Sequence, residues 1–324
     1  MHGMIRYWTL VTTLLAPLVF VTSSFAVAPG NAEPECPVGK KVATLLGGWT
    51  EAIDAAKAMT PEARAALEAR MASVASDCPV GSRLADTFVV ARDALAVAIA
   101  FEKACSGECP LEAGTRSSDA ETARTCSEGR KLMADGSKAI HGLHQLASYA
   151  AGAMTGCCEQ SAKEAKETSA TAVTAVTAAT PPEDGKACAA VCAKDVATRV
   201  TALETSWKKA SEELAALSPE VKRRKLAEVK SLAESCKVAA LVPPTVAALA
   251  EGFAGLDAHH ARLGEWAKAN PEILASLPEE AKKSFEEQNA LIARVGSILA
   301  GAQGAMKAAS PELVEGAAGT ASAD

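Results

Sequence analysis

Ten cysteines and five histidines carry most of the reactive chemistry available to this 324-residue chain. The cysteines are Cys36, Cys78, Cys105, Cys109, Cys126, Cys157, Cys158, Cys188, Cys192 and Cys236. An even set of this kind suits disulfides in an oxidising compartment or, if reduced, a soft metal ion. Neither a C-x-x-C-H haem attachment site nor a C-x-x-C pair of the thioredoxin or zinc-ribbon kind occurs. Cysteines four apart occur twice, as Cys105 with Cys109 and Cys188 with Cys192, which on a helix places each pair one turn apart on one face. His141 and His144 share a helical face in the same way and could hold one metal ion. No third ligand at suitable spacing completes a zinc set within their segment. His259 and His260 point about 100° apart around a helix, which reads as a solvated or partly buried pair.

Motifs for other chemistry are missing. The chain has no Gly-x-Ser-x-Gly elbow, no His-Glu-x-x-His and no Gly-rich phosphate loop. Its paired carboxylates, Glu212-Glu213, Glu279-Glu280 and Glu286-Glu287, alternate with lysines as solvated helix faces do. With 33 Lys and Arg against 39 Asp and Glu, the net charge of -6 argues against tracking a phosphate backbone. Aromatic residues at 4% leave few platforms for stacking bases. A protein without enzymatic activity, cofactor or nucleic-acid partner is therefore expected.

The elements that must position these residues are helices. Seventy-two alanines, interspersed with charged residues and few β-branched runs, favour an all-α chain with little side-chain volume per buried position. Residues 1–26 read as a secretory signal peptide: Arg6, an apolar run from Trp8 to Val21, then Ser24-Phe25-Ala26 with cleavage before Val27. The apolar run is shorter than the roughly 20 residues of a bilayer span, so export to a periplasmic or extracellular location is expected, with no integral membrane segment after cleavage. Residues 27–160 then form an N-terminal helical domain, 161–185 an Ala/Thr/Pro-rich linker, 186–309 a C-terminal helical domain and 310–324 a disordered tail.

A repeated frame organises the two halves. Trp49, Pro61 and Cys78 recur without a gap as Trp207, Pro219 and Cys236, and a third copy places Trp266, Pro278 and Val295 in the same spacing. In Thr60-Pro61-Glu62, Ser218-Pro219-Glu220, Asn270-Pro271-Glu272 and Ser310-Pro311-Glu312 an N-cap oxygen precedes Pro at the first helical position and Glu in the first turn. Apolar stripes at helical period run through Leu67, Met71, Val74 and Cys78 and through Leu226, Val229, Leu232 and Cys236. The third copy has Phe285, Leu291 and Val295, with Gln288 interrupting its stripe. The spacing predicts helices over about 40–58, 61–77, 82–105, 119–155, 186–217, 219–238, 244–269 and 278–301. It also predicts duplicated antiparallel hairpins in an irregular bundle, the three Trp packing within their hairpins. Cysteines at the hairpin ends would then pair as 36–78 and 192–236, the partners of the other six remaining open.

An exported, disulfide-stapled helical protein with a structural or protein-interaction role at the cell envelope follows as the expectation, its partner another envelope protein or a second copy. The alternative is a Cu(I)-type binder using Cys105, Cys109, Cys188, Cys192, His141 and His144. In its two C-x-x-x-C pairs, and there alone, the chain resembles the Cys-rich copper-storage helical bundles, whose paired cysteines at helical spacing coordinate copper.

Overall fold

The computed structural model describes residues 37–105, 120–155, 185–276 and 279–309. The signal peptide, Cys36, Cys109, Cys157, Cys158, most of the expected linker and the C-terminal tail lie outside the described residues. Among the described residues the chain forms nine helices and no strand. They are α1 (Pro37–Lys57), α2 (Pro61–Asp77), α3 (Gly81–Cys105), α4 (Ala120–Thr155), α5 (Gly185–Ala216), α6 (Pro219–Ser235), α7 (Lys237–Ala269), α8 (Pro271–Ser276) and α9 (Glu279–Ala309).

Helix starts follow the local chemistry. The Ser218 hydroxyl accepts the Val221 N–H ahead of Pro219, and Thr60 accepts the Ala63 N–H ahead of Pro61. Asn270-Pro271 opens the short α8, and α9 runs to Ala309, beyond the expected end at 301. The expected helix 219–238 is divided at Cys236, whose extended backbone both ends α6 and caps α7. Its Sγ accepts the Ala239 N–H at 3.5 Å.

Along α7 the buried positions Val238, Val242, Thr245, Leu249, Gly252, Leu256, His259 and Leu263 alternate steps of four and three. That is the stripe of a bundle helix facing two neighbours. The same stripe appears 158 residues earlier as Val80, just before α3, and Leu84, Thr87, Ala91, Ala94 and Ala98 on it, all buried. By length and composition α7 is apolar enough to cross a membrane. Here its apolar stripe is covered by α1, α4 and α9.

Four helices close a ring in which α3 packs on α4, α4 on α7, α7 on α9 and α9 on α3. Neighbours are antiparallel. Leu143 meets Gly252 while Gly129 meets Trp266 between α4 and α7, and Gly296 meets Phe253 while Phe285 meets His260 between α9 and α7. Gly252 is required for close approach, because a Cβ there would collide with the Leu143 side chain. The remaining long helices lie outside the ring, α1 against α4 and α7, and α5 against α9 and α3.

The 158-residue step governs how the halves meet. Trp49 on α1 donates its indole N–H to Thr245 on α7 at 2.9 Å, and Trp207 on α5 donates to Thr87 on α3 at 2.9 Å. Gly48 lies against Leu241, and at the corresponding positions Ser206 accepts from Arg83 at 3.1 Å. Every packed pair of the first half has its counterpart: α1 with α7 matches α5 with α3, α2 with α3 matches α6 with α7, and α3 with α4 matches α7 with α9. The two halves are related by an approximate two-fold axis along the bundle, and they exchange partners.

This exchange corrects the expected hairpins. The end of α1 and the start of α3 sit at the same end of the bundle, so α2 runs across that end instead of folding back along α1. The matching α6 crosses beside α2, with Arg70 donating to Ser231 and Ser235 at 2.9 Å and Lys225 to the Asp77 carbonyl. The third copy also dissolves. Trp266 belongs to the last turn of α7 and packs on Gly129, Val295 is in the core of α9, and Pro278 lies outside the described residues.

The predicted staples find no support among the described residues. Cys78 and Cys236 are free thiols at the capped end, and Cys236 lies 3.9 Å from Met71 Sδ. Because α5 runs antiparallel to α3, with Trp207 at Thr87 and Arg199 at Asp93, Cys192 falls near the far end of α3. At 1.5 Å per residue that is roughly 30 Å from Cys236, whereas a disulfide needs Cα atoms within about 7 Å. Cys36, the expected partner of Cys78, lies outside the described residues.

Replacing Thr87 or Thr245 by Val keeps the shape but strands a buried indole N–H. Each substitution is expected to cost about 1–3 kcal/mol in urea unfolding, by similar amounts at the two sites. A large loss at one site and none at the other would contradict the equivalence of the two halves.

Candidate functional site

The largest group of unsatisfied buried polar atoms is inside the four-helix ring, near the end remote from α2 and α6. Ala98, Phe101 and Glu102 of α3, Met133, Gly136, Ser137 and Ile140 of α4, His259, His260 and Leu263 of α7, and Phe285 and Gln288 of α9 surround a cavity of about 30 Å³. A bundle core is where side chains from facing helices converge to form ligand sites. The lining is two-fold in plan and unequal in chemistry. Phe101 corresponds to His259 and Glu102 to His260 by the 158-residue step. Across α4 and α9 the step is 152, so that Met133 corresponds to Phe285 and Gly136 to Gln288.

Both histidines and Gln288 are about 5–6% exposed, while Phe101 and Glu102 are half-buried. Glu102 Oε2, His260 Nδ1 and Gln288 Oε1 are buried with no hydrogen-bond partner. Each such group carries a desolvation cost unless something small and polar meets it. The His259 Nδ1 faces the Arg262 guanidinium at 3.5 Å. Since Arg only donates, that contact assigns the His259 proton to Nε2. This nitrogen lies so close to α4 that a Cβ on Gly136 would be 2.6 Å from it. His260 meets Phe285 edge-on at 5.8 Å, and Phe285 meets Phe101 at 6.1 Å.

Burial holds the His260 pKa down to about 4, helped by His259 and opposed by Asp257. His259 is lowered as well, by burial first and then by Arg262. Both rings are neutral near pH 7. Midway along the bundle His144 is also buried and lowered to about 4, by desolvation and then by Arg92 and His141, with Asp93 opposing.

Of the residues singled out for metal, the two histidines part company and Cys109 lies outside the described residues. His144 is buried but His141, three residues away, is exposed, because only one of them faces the ring. Cys105 ends α3, and Cys188 and Cys192 lie in the first turns of α5. No group of three His, Cys, Asp or Glu able to hold a metal ion occurs among the described residues. The expected solvated carboxylates are on surface faces, with Lys209 beside Glu213, Lys282 beside Glu279 and Lys283 beside Glu287. The His259-His260 pair, read from sequence as solvated or partly buried, is instead within the core. The legible signal was Gln288, a polar residue interrupting an apolar stripe.

Compared with known proteins, the chain matches no protein-family model, no curated protein and no solved structure.

The buried histidines set a pH dependence. Unfolding raises the His144 and His260 pKa from about 4 to the ordinary 6.5. Below pH 6.5 the unfolded chain therefore takes up protons that the folded chain refuses until about pH 4. Stability is expected to fall across that window, by on the order of 3 kcal/mol per histidine at its lower end, and these two groups leave it unchanged above pH 7. Urea midpoints at pH 7.5, 5.5 and 4.5 test this. His144→Leu and His260→Leu should each flatten the slope, and an unaltered slope in both would assign the acid sensitivity to carboxylates instead.

Proposed function

We propose that the protein is exported by its leader and serves, without catalysis, as a rigid helical scaffold at the cell envelope. Its partner in this reading is another envelope protein or a second copy of the chain. What supports the reading is the reciprocal Trp49–Thr245 and Trp207–Thr87 locking, which commits both halves to one interleaved bundle. Such cross-connection resists partial opening, because neither half has its own partner for its buried indole. Export also suits the cysteine content: with Cys78 and Cys236 as thiols, eight cysteines remain for bridges.

A soft-metal reading draws on a different contact from the one expected from sequence, namely Cys236 Sγ at 3.9 Å from Met71 Sδ, two polarisable sulfurs side by side at the capped end.

Cell fractionation with N-terminal sequencing, followed by intact mass after alkylation without reductant, tests both readings. The expected result is an exported chain beginning at Val27, eight hydrogens lighter than its reduced form, with two free cysteines, of which the buried Cys236 alkylates only after unfolding. A cytosolic chain retaining residues 1–26 with all ten thiols free would overturn the export reading. Copper retained at one equivalent, and lost in Met71→Leu, would favour the soft-metal reading.

A further inference from the structure

The cavity in the four-helix ring is lined by more acceptors than the protein satisfies, and one of them belongs to a carboxylate. Glu102 Oε2 and Gln288 Oε1 can only accept when the carboxyl is ionised, and both are buried without a partner. His259 has its Nε2 proton assigned by Arg262 and is therefore a donor there, turned against α4 at Gly136, and not a further acceptor. His260 Nδ1, unpartnered and unconstrained by any such contact, is free to accept. Three acceptors from three helices thus converge on one space. No Lys or Arg among the described residues pairs with Glu102. The Phe101 and Phe285 rings stand in the same lining, tilted against each other at 6.1 Å.

We propose that this cavity binds a primary ammonium group, whose three N–H donors are received by Glu102, Gln288 and His260. A single water supplies only two donors and no charge, so it leaves one of the three acceptors unmet. For a metal ion, no group of three His, Cys, Asp or Glu able to hold it occurs among the described residues. The free space of about 30 Å³ holds one or two water-sized groups, which suits methylammonium with its two non-hydrogen atoms. Because Phe101 and Glu102 are only half-buried, the cavity reaches the surface along α3, and a longer amine could enter by its charged end. The asymmetry of the two halves gives the site its chemistry. Where one half places Phe101 and Glu102, the other places His259 and His260, so that one carboxylate faces neutral acceptors instead of a second charge.

The site is independent of where the protein acts, so it is tested on the purified full-length chain. Titration with methylammonium chloride, against sodium chloride at equal ionic strength, is followed by calorimetry and by thermal unfolding. Saturable one-to-one binding is expected, with a dissociation constant on the order of 10 mM given the ceiling for so small a ligand. Glu102→Gln should weaken it at least tenfold while the unliganded protein unfolds at an equal or higher temperature, which separates lost binding from lost folding. Gln288→Leu should weaken it too, and tetramethylammonium, too large and without N–H donors, should not bind. Methylammonium no more effective than sodium, equal binding by Glu102→Gln, or equal binding of tetramethylammonium would overturn the proposal and leave a cavity that holds water only.

Discussion

Two hydrogen bonds from buried indoles to threonine hydroxyls organise the rest of the molecule. A tryptophan contributes the largest apolar surface of any side chain, but its N–H must still find an acceptor when it is buried. For Trp49 that acceptor is Thr245, and for Trp207 it is Thr87, each in the opposite half of the chain. Satisfying both at once aligns α1 along α7 and α5 along α3. With those alignments set, the ends of α1 and α5 lie at the same end of the bundle as the starts of α3 and α7. The short helices α2 and α6 then have one course available, across the end and beside each other.

An alanine-rich chain depends on such directional contacts more than most. Ala91, Ala94 and Ala98 line the buried stripe of α3 and contribute little area each. They allow close packing, as Gly252 does opposite Leu143, but small residues specify register weakly. Register is supplied by the Trp–Thr pairs and by polar ties on the flanking helices, including Arg294 donating to Glu204 at 2.9 and 2.6 Å and Arg199 to Asp93 at 2.5 Å. Being partly exposed, these ion pairs orient α5 more than they stabilise it.

The same two-fold plan explains why a polar cavity can exist in this core. Positions that would face each other as equal residues in a symmetric dimer carry different side chains here, because both halves belong to one chain and can diverge. Phe101 opposite His259, and Glu102 opposite His260, leave a space that neither a purely apolar nor a purely charged set would leave. At the capped end, knit by Trp, Thr and the α2–α6 pair, only the Arg64 Nε is buried without a partner among the described residues. The other end carries the remaining unpaired groups.

Several features were legible in the residues themselves. Pro61 and Pro219 behind N-cap hydroxyls marked helix starts, because capping is decided within a few residues. The Trp–Pro–Cys frame showed that positions 49–78 and 207–236 are alike, and Gln288 stood out against its apolar stripe. Other features depended on contacts that local sequence does not encode. Whether a repeated helix pair closes on itself or exchanges partners with its copy turns on the course of α2 and α6, and both arrangements bury the same stripes. The staples 36–78 and 192–236, the third copy at Trp266 and the exposure assigned to His259 and His260 all depended on that choice. Helix formation and the likeness of the halves were thus settled by short-range chemistry along the chain. Which half covers which, and hence where the thiols and the polar cavity lie, was decided only when two buried indoles found their acceptors across the fold.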